Sequence, residues 1–472
     1  MLKATVGTWI NYGTTAFFQV LFARRFGSTP DASAYALTFT LAISIAAIFV
    51  GVTQVMFLPR LLTRGGKVSM AVVRRLARMT ALGMMIFAVL AAGASLLAPI
   101  IAPKLNDGGT HLVELVRAAC VFGFSQVVVA QLAAVAWARG RRFVPAVSPA
   151  IPSIVASVPL IANPNVTPLA LYVLLTLGGL LQIVLLTFSV RRDLQFVREP
   201  LDREGETSVS LVFGTYAAAQ LIAPFELFVA AHWSTSGGAD FNYAYRGIVV
   251  AQSLIVGGVV FAALPDWSNH VRAQARATLE RSIARTLSMA ALALSLAAAV
   301  GLVAANTLVS AAFQRGSFTA HDTRAVSEIV VAGLLGFVAE GVMLVLSQAL
   351  LADRRNRVAV IIALARSFGL IILVAGLGLT LGPVGVALGY SIANVVALAV
   401  QLVYACREGM LTSRQLRLAR STAVVTVCTC GAAAMLIPLH VPSPVAAAVV
   451  IGVFATTVLS VRNSLPSIRV RV

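Results

Sequence analysis

Arg117–Ala150, RAACVFGFSQVVVAQLAAVAWARGRRFVPAVSPA, and Val330–Ala363, VVAGLLGFVAEGVMLVLSQALLADRRNRVAVIIA, are two versions of one segment. At a displacement of 213 residues they agree at ten of 34 positions, among them Gly123-Phe124 with Gly336-Phe337 and Arg141-Arg142 with Arg354-Arg355. That exceeds what an Ala- and Val-rich composition returns by chance. Upstream, Leu58-Pro59 and Leu264-Pro265 close corresponding apolar runs. Each copy is a long apolar stretch ending in paired arginines, and the rest of the chain follows the same plan.

Of the 472 residues, 59% are hydrophobic and 11% charged, with a mean hydropathy of +0.91. A soluble domain is about a quarter charged, so a soluble enzyme, a disordered chain and a nucleic-acid-binding domain are excluded as leading readings. A spanning helix needs about 20 apolar residues, and backbone facing lipid must be helical. The runs then read as fourteen helices, near 5–25, 32–58, 76–101, 112–138, 143–163, 166–190, 208–233, 242–265, 285–312, 325–351, 358–380, 383–405, 419–438 and 443–461. The first carries no small-residue cleavage site and reads as a retained span.

The cations fix the expected orientation. The N-terminus and every second loop hold 28 of the 36 Lys and Arg residues, and the intervening loops hold five. Cytoplasmic loops are the cation-rich ones, so both termini are expected in the cytoplasm. The repeat displaces the chain by six helices, an even number, which gives the two halves one orientation. The fold expected is an all-α polytopic membrane protein with two parallel six-helix lobes, 1–204 and 205–410. Two further helices occupy 411–472. Parallel lobes of this kind belong to transporters, with substrate handled between them.

Net charge is +19, but the arginines are dispersed between apolar runs and do not form a dense patch, which argues for a lipid bilayer and against nucleic acid as partner. The four cysteines fall in or beside apolar segments, the five histidines are scattered, and no cofactor or metal site is implied. No phosphate-cradling glycine loop with its lysine occurs, so direct ATP use is not expected. Asp31 and Asp322 stand where helices start and read as caps.

Three arginines remain inside spans, Arg117, Arg246 and Arg366, and two acids, Glu226 and Glu340. A charge at the bilayer centre costs about 3 kcal/mol or more, so each needs a partner or a wet cavity. Arg246, in Tyr243-Ala244-Tyr245-Arg246, can offer its planar fork to a phosphate, or can snorkel to headgroups. Glu226 can take a coupling cation or proton, or pair with Arg366. Glu340 shows no evident partner in sequence and is a candidate titrating group. Arg117 reads as a boundary residue, and Arg24 and Arg25 stand at the outer end of the first helix. Pro149 and Pro152 in the fifth helix and Pro224 in the seventh are candidate hinges or static kinks.

Several segments resemble the MurJ/MviN lipid flippases of the MOP transporter superfamily. Phe313-Gln314-Arg315-Gly316-Ser317-Phe318-Thr319-Ala320-His321-Asp322-Thr323 is similar to the family's F-x-R-G-x-F-T-x-x-D-T before the tenth helix. Tyr243-Ala244-Tyr245-Arg246 resembles Y-A-x-R, and Leu264-Pro265 the L-P that closes the eighth helix. Ala23-Arg24-Arg25-Phe26-Gly27 with Asp31-Ala32 resembles A-R-x-F-G and D-A, and Gly140-Arg141-Arg142-Phe143 with Pro145-Ala146 resembles G-R-F-x-x-P-A. The matches run in the family's order from about residue 20 to 400.

The resemblance implies a bacterial inner-membrane flippase working by alternating access without a cofactor. It implies a substrate built on polyprenyl pyrophosphate, with lipid II first. Arg246 falls on the family's cavity arginine, helped by Arg24 or Arg25, and the last two helices form a groove for the lipid tail. The energy source implied is the membrane potential or a coupling cation, Na+ or H+, with Glu226 as the carboxylate and Arg366 able to stand in the cation's place. The chain departs from the family where an R-D pair gives way to Phe18-Gln19, and where P-N-L-L-R-R gives way to the apolar Ala42–Ala47. These losses keep open a flippase for another lipid-linked saccharide, such as an O-antigen or exopolysaccharide unit, and a transport-inactive scaffold for envelope-synthesis proteins. The protein is expected to act as a monomer.

Overall fold

A computed structural model describes residues 2–57, 61, 68–106, 111–141, 143–163, 165–191, 196–197, 209–257, 263, 267, 270–271, 273–352, 356–407, 429 and 443–461. The chain forms two compact units, Met1–Asn242 with Arg315–Thr319, and Tyr243–Gln314 with Ala320–Val472. The first therefore extends past the 204/205 division suggested by the repeat, because the helices of 209–233 pack on the second helix of the chain. The helix expected over 419–438 lies outside the described residues, residue 429 apart.

In the first unit, α1 (Leu2–Phe26), α2 (Pro30–Val52), α3 (Met70–Ala92), α4 (Ala94–Ile101), the single turn α5 (Pro103–Asn106) and α6 (Leu112–Ala138) come first. They are followed by α7 (Phe143–Val147), α8 (Ala150–Ala162), α9 (Pro168–Val190), α10 (Val209–Gln220) and α11 (Ile222–Trp233). Helix α2 is apolar all round and buried on all sides, as a central helix must be. It starts at Thr29, whose hydroxyl accepts the Ala32 N–H at 3.3 Å, with Pro30 in the first turn. Asp31 thus sits inside the first turn, where its charge suits the helix dipole, and is not the cap. In contrast, α9 turns Leu177, Leu181, Val184 and Phe188 outward, a face suited to lipid.

The rings of Phe22, Tyr35, Phe39, Phe122 and Tyr172 form a chain at centroid spacings of 4.6 to 5.8 Å. The Thr38 hydroxyl and the Tyr172 hydroxyl lie 2.7 Å apart inside it. Val68–Ser69 pairs in parallel with Phe196–Val197 as a two-residue ladder.

Three prolines stand where helices are interrupted. Pro224 lacks an N–H and its ring opposes the carbonyl of Gln220 four residues back, and the helix is interrupted at Leu221, between α10 and α11. Pro149 and Pro152 do the same between α7 and α8, where Ser148 is held by the Gln182 side chain at 3.2 Å.

In the second unit, α12 (Gly237–Gln252) enters from the first, and α13 (Arg276–Phe313), α14 (Ala320–Ala352), α15 (Asn356–Arg407) and α16 (Ser443–Val461) follow. α15 comprises two spans, joined at Gly382, which has φ 66° and precedes Pro383. Trp267, Leu294, Phe337, Leu346 and Ala349 centre the core. α16 rests on α13 through Val450 against Ala299 and a 2.7 Å contact between the Thr307 and Ser443 hydroxyls.

The repeat survives in the backbone. α2 and α12 each run into a π-helical turn, Thr53–Phe57 and Ser253–Gly257. The repeat-equivalent Gly123 and Gly336 each lie flat under an aromatic ring, Phe87 and Tyr390, where any Cβ would collide.

Nine stretches of the described residues are long and apolar enough to cross a membrane, and one of them, Val358–Arg407, holds two spans.

Candidate functional site

The intramembrane charges sort between the two units. Arg24 and Arg25 end α1, Arg24 exposed and Arg25 half-buried, and the Arg24 carbonyl accepts the Ser317 N–H at 2.9 Å. Glu226 is on α11 and only 1% exposed. These belong to the first unit, whereas Arg246, half-buried on α12, belongs to the second with Glu340 and Arg366. Where the family-like arginines are missing, Phe18 and Gln19 are buried, and Ala42 and Ala46 are core residues. Arg117 is exposed and donates to the Ala91 carbonyl at 3.4 Å, as a boundary residue would.

The structure brings Arg366 to Glu340. Arg366 Nη2–H donates to Glu340 Oε1, and Arg366 Nε–H donates to Asn394 Oδ1 at 2.7 Å. The Tyr390 hydroxyl donates to Glu340 Oε2 at 2.6 Å, and Asn394 Nδ2–H donates to the Tyr390 carbonyl at 2.9 Å. Glu340 is therefore a neutralised member of a closed network, not the partnerless acid its sequence context suggested. Bonds to charged groups in a low-dielectric interior are strong, and removing one member leaves the other charge exposed to that interior.

Two antiparallel spans make this pairing. Glu340 stands 14 residues before Arg354, which falls between α14 and α15 in the sequence, and Arg366 stands 12 after it, which puts them at nearly the same depth. The sequence carried that signal in the short loop, but Tyr390 and Asn394, a span further on, had none.

The network lines a cavity of about 170 Å³ with Gln252, Met343, Leu344, Ser347, Ile362, Ala363 and Gln401. Arg246 lies six residues before Gln252 on α12, and the neighbouring Tyr245 ring meets Tyr390 edge-on at 6.4 Å. No group of three or more His, Cys, Asp or Glu placed to hold a metal occurs among the described residues.

The architecture matches known transporters. A structure of the lipid II flippase MurJ in its inward closed conformation superposes with a TM-score of 0.79 at 16% identity, covering 98% of this chain and 100% of that one. An inward-facing multidrug resistance MATE family transporter of the MOP superfamily gives 0.64 at 16% identity, covering 87% and 95%. A MOP superfamily transporter from Pyrococcus furiosus gives 0.58 at 14% identity, covering 87% and 95%. None of the curated proteins matches the chain in sequence.

The fold is thus that of a MOP-type membrane transporter. The family model "Lipid II flippase MurJ" matches residues 22–459, and the chain belongs to that family. It is a multi-pass inner-membrane protein of a transporter family and not an enzyme.

Proposed function

We propose that the protein flips an undecaprenyl-pyrophosphate-linked envelope precursor, lipid II first, across the bacterial inner membrane by alternating access. The observation that carries this is Arg246, a half-buried cation on α12, within the stretch 242–265 read from the sequence as a span, in a chain matched by a family model named for lipid II. A guanidinium there offers paired N–H donors to a pyrophosphate in a medium where few other groups can hold it. Arg24 and Arg25 supply further positive charge. Membrane potential, worth about 2.3 kcal/mol per charge per 100 mV, or a cation held at Glu226 drives the cycle. The breaks at Pro149, Pro152 and Pro224 serve as hinges, both termini face the cytoplasm and the protein acts as a monomer.

The test is replacement of the resident flippase in a depleted bacterium, with outer-leaflet lipid II as the readout. Wild type is expected to restore exposure and Arg246→Ala to lose most of it at equal expression. If well-expressed wild type restores nothing, lipid II is the wrong substrate. A second reading, transport of another polyprenyl-linked saccharide, is favoured by the apolar residues at Ala42–Ala47. It predicts rescue of a strain lacking a different lipid-linked-sugar flippase. A scaffold for envelope-synthesis proteins predicts instead that Arg246→Ala is silent.

A further inference from the structure

The cavity beside the Glu340–Arg366 pair has chemistry that the pair does not use up. Gln401 is 1% exposed, and it donates from Nε2 to Ser347 Oγ at 3.1 Å. Its Oε1 lines up with no donor among the described residues. Ser347 accepts from Gln401, which leaves its own O–H to donate. Arg366 uses two of its five N–H groups on Glu340 and Asn394. Gln401 Oε1 is itself closed off from the chamber, so what the chamber presents is the Ser347 hydroxyl and the guanidinium donors beside the Glu340 carboxylate.

The charge balance selects the ligand. Arg366 and Glu340 cancel, and their side chains are 24% and 23% exposed. A metal cation meets the resident guanidinium, and an anion meets the Glu340 carboxylate at the same wall. An uncharged hydroxyl- or amide-bearing group meets neither penalty and pairs with the Ser347 hydroxyl and the Arg366 donors at once. The volume of about 170 Å³ equals about five or six waters at ~30 Å³ each, which suits one sugar ring or one peptide unit. Met343, Leu344, Ile362 and Ala363 supply the apolar walls that such a ring packs on.

We infer that this chamber is a subsite for one uncharged, hydroxyl- or amide-bearing group of the transported headgroup. Ser347 and Arg366 read that group, with Gln401 holding Ser347 in place, on the same helix system that carries Arg246. The inference rests on the proposed transport of a pyrophosphate-linked precursor. It assigns the saccharide or peptide portion a place of its own, separate from the pyrophosphate.

The test uses full-length protein in nanodiscs with two probes, lipid II and undecaprenyl pyrophosphate, which share lipid and pyrophosphate and differ in the glycopeptide. Wild type is expected to bind lipid II more tightly. Ser347→Ala/Gln401→Leu is expected to weaken lipid II about ten-fold, a loss of about 1.4 kcal/mol, and to leave undecaprenyl pyrophosphate within two-fold. Ser347→Ala alone, the smaller change, is expected to give a lesser loss of the same selectivity, and thermal unfolding checks that each variant is folded. Equal loss of both probes, or no loss of either, overturns the subsite, the second outcome meaning that the chamber holds water only. Wild type that binds undecaprenyl pyrophosphate as tightly as lipid II also overturns it, while leaving pyrophosphate transport standing. Wild type that binds neither removes the transport reading, and the subsite with it.

Discussion

Val127 in the first unit and Glu340 in the second are the same position of the repeat, and they have opposite surroundings. Val127 is fully buried. A void elsewhere in the same unit, lined by Thr38, Ala42, Phe87 and Cys120 among others, is about 10 Å³ and almost wholly apolar. Glu340 opens on a polar chamber of about 170 Å³ and is tied to Arg366 and Tyr390. The first unit joins its helices through neutral contacts, Thr38 with Tyr172 and Thr53 with Gln131 at 3.1 Å. The second joins three spans through an ion pair. One ancestral packing plan has thus been kept as a scaffold in one copy and given charge and space in the other.

Exchanging the character of the two positions should break this difference most severely. Val127→Glu buries a carboxylate without a counter-ion, and a cost of several kcal/mol is expected to abolish folded protein in size-exclusion profiles. Arg366→Met leaves Glu340 without its cation and is expected to cost about 3 kcal/mol, read as a lowered thermal midpoint in detergent. Glu340→Gln/Arg366→Met should recover most of that loss, because a neutral pair carries no stranded charge. Recovery of less than half would mean the network's other bonds, and not the charges, dominate.

Smaller effects test the backbone. Gly316 has φ +66°, and a Cβ there collides with the Arg24 carbonyl, while Gly140 has φ +73° with nothing within 4 Å. Gly140→Ala should cost about 1 kcal/mol from conformation alone, and Gly316→Ala clearly more, seen as a larger fall in thermal midpoint. Thr38→Val is expected to be the mildest, about 1 kcal/mol or less, because Tyr172 keeps its bond to the Tyr35 carbonyl at 3.2 Å. An equal fall for Gly140→Ala and Gly316→Ala would show that the close approach at Arg24 carries no weight.

Helices and repeat were readable because lipid enforces them. Apolar length must be helical, arginines must stay at the ends, and Gly123 and Gly336 recur because a ring covers each. Where helices break was readable at Pro224 and Pro149, since a missing N–H acts locally. The π-turns after α2 and α12 were not, because they answer to packing and not to a residue type. The cap of α2 was misread for a near-local reason, Asp31 being two residues inside the true start at Thr29. At the candidate site the charges stood out individually, but their pairing depends on which helix lies beside which. From the sequence Glu226 is a candidate partner for Arg366 and Glu340 shows none, and only the packing of α14 on α15 brings Glu340 to Arg366. Gln401 and Ser347 carry no sequence signal, since an amide and a hydroxyl in a span are common and only their hydrogen bond between α15 and α14 marks them.

The short segment Arg315–Thr319 is seated in the first unit although the chain on both sides of it belongs to the second. Its hold is reciprocal, with Gly27 pressed against Ser317 and Gly316 against Arg24, both glycines at positive φ. The gene can therefore be cut into two halves more easily than the protein can. A fragment carrying only the N-terminal half would present a docking notch with its plug encoded elsewhere, and the C-terminal fragment would carry a plug with nowhere to rest. Co-expressed halves should consequently find each other through five residues that neither half needs for its own helices.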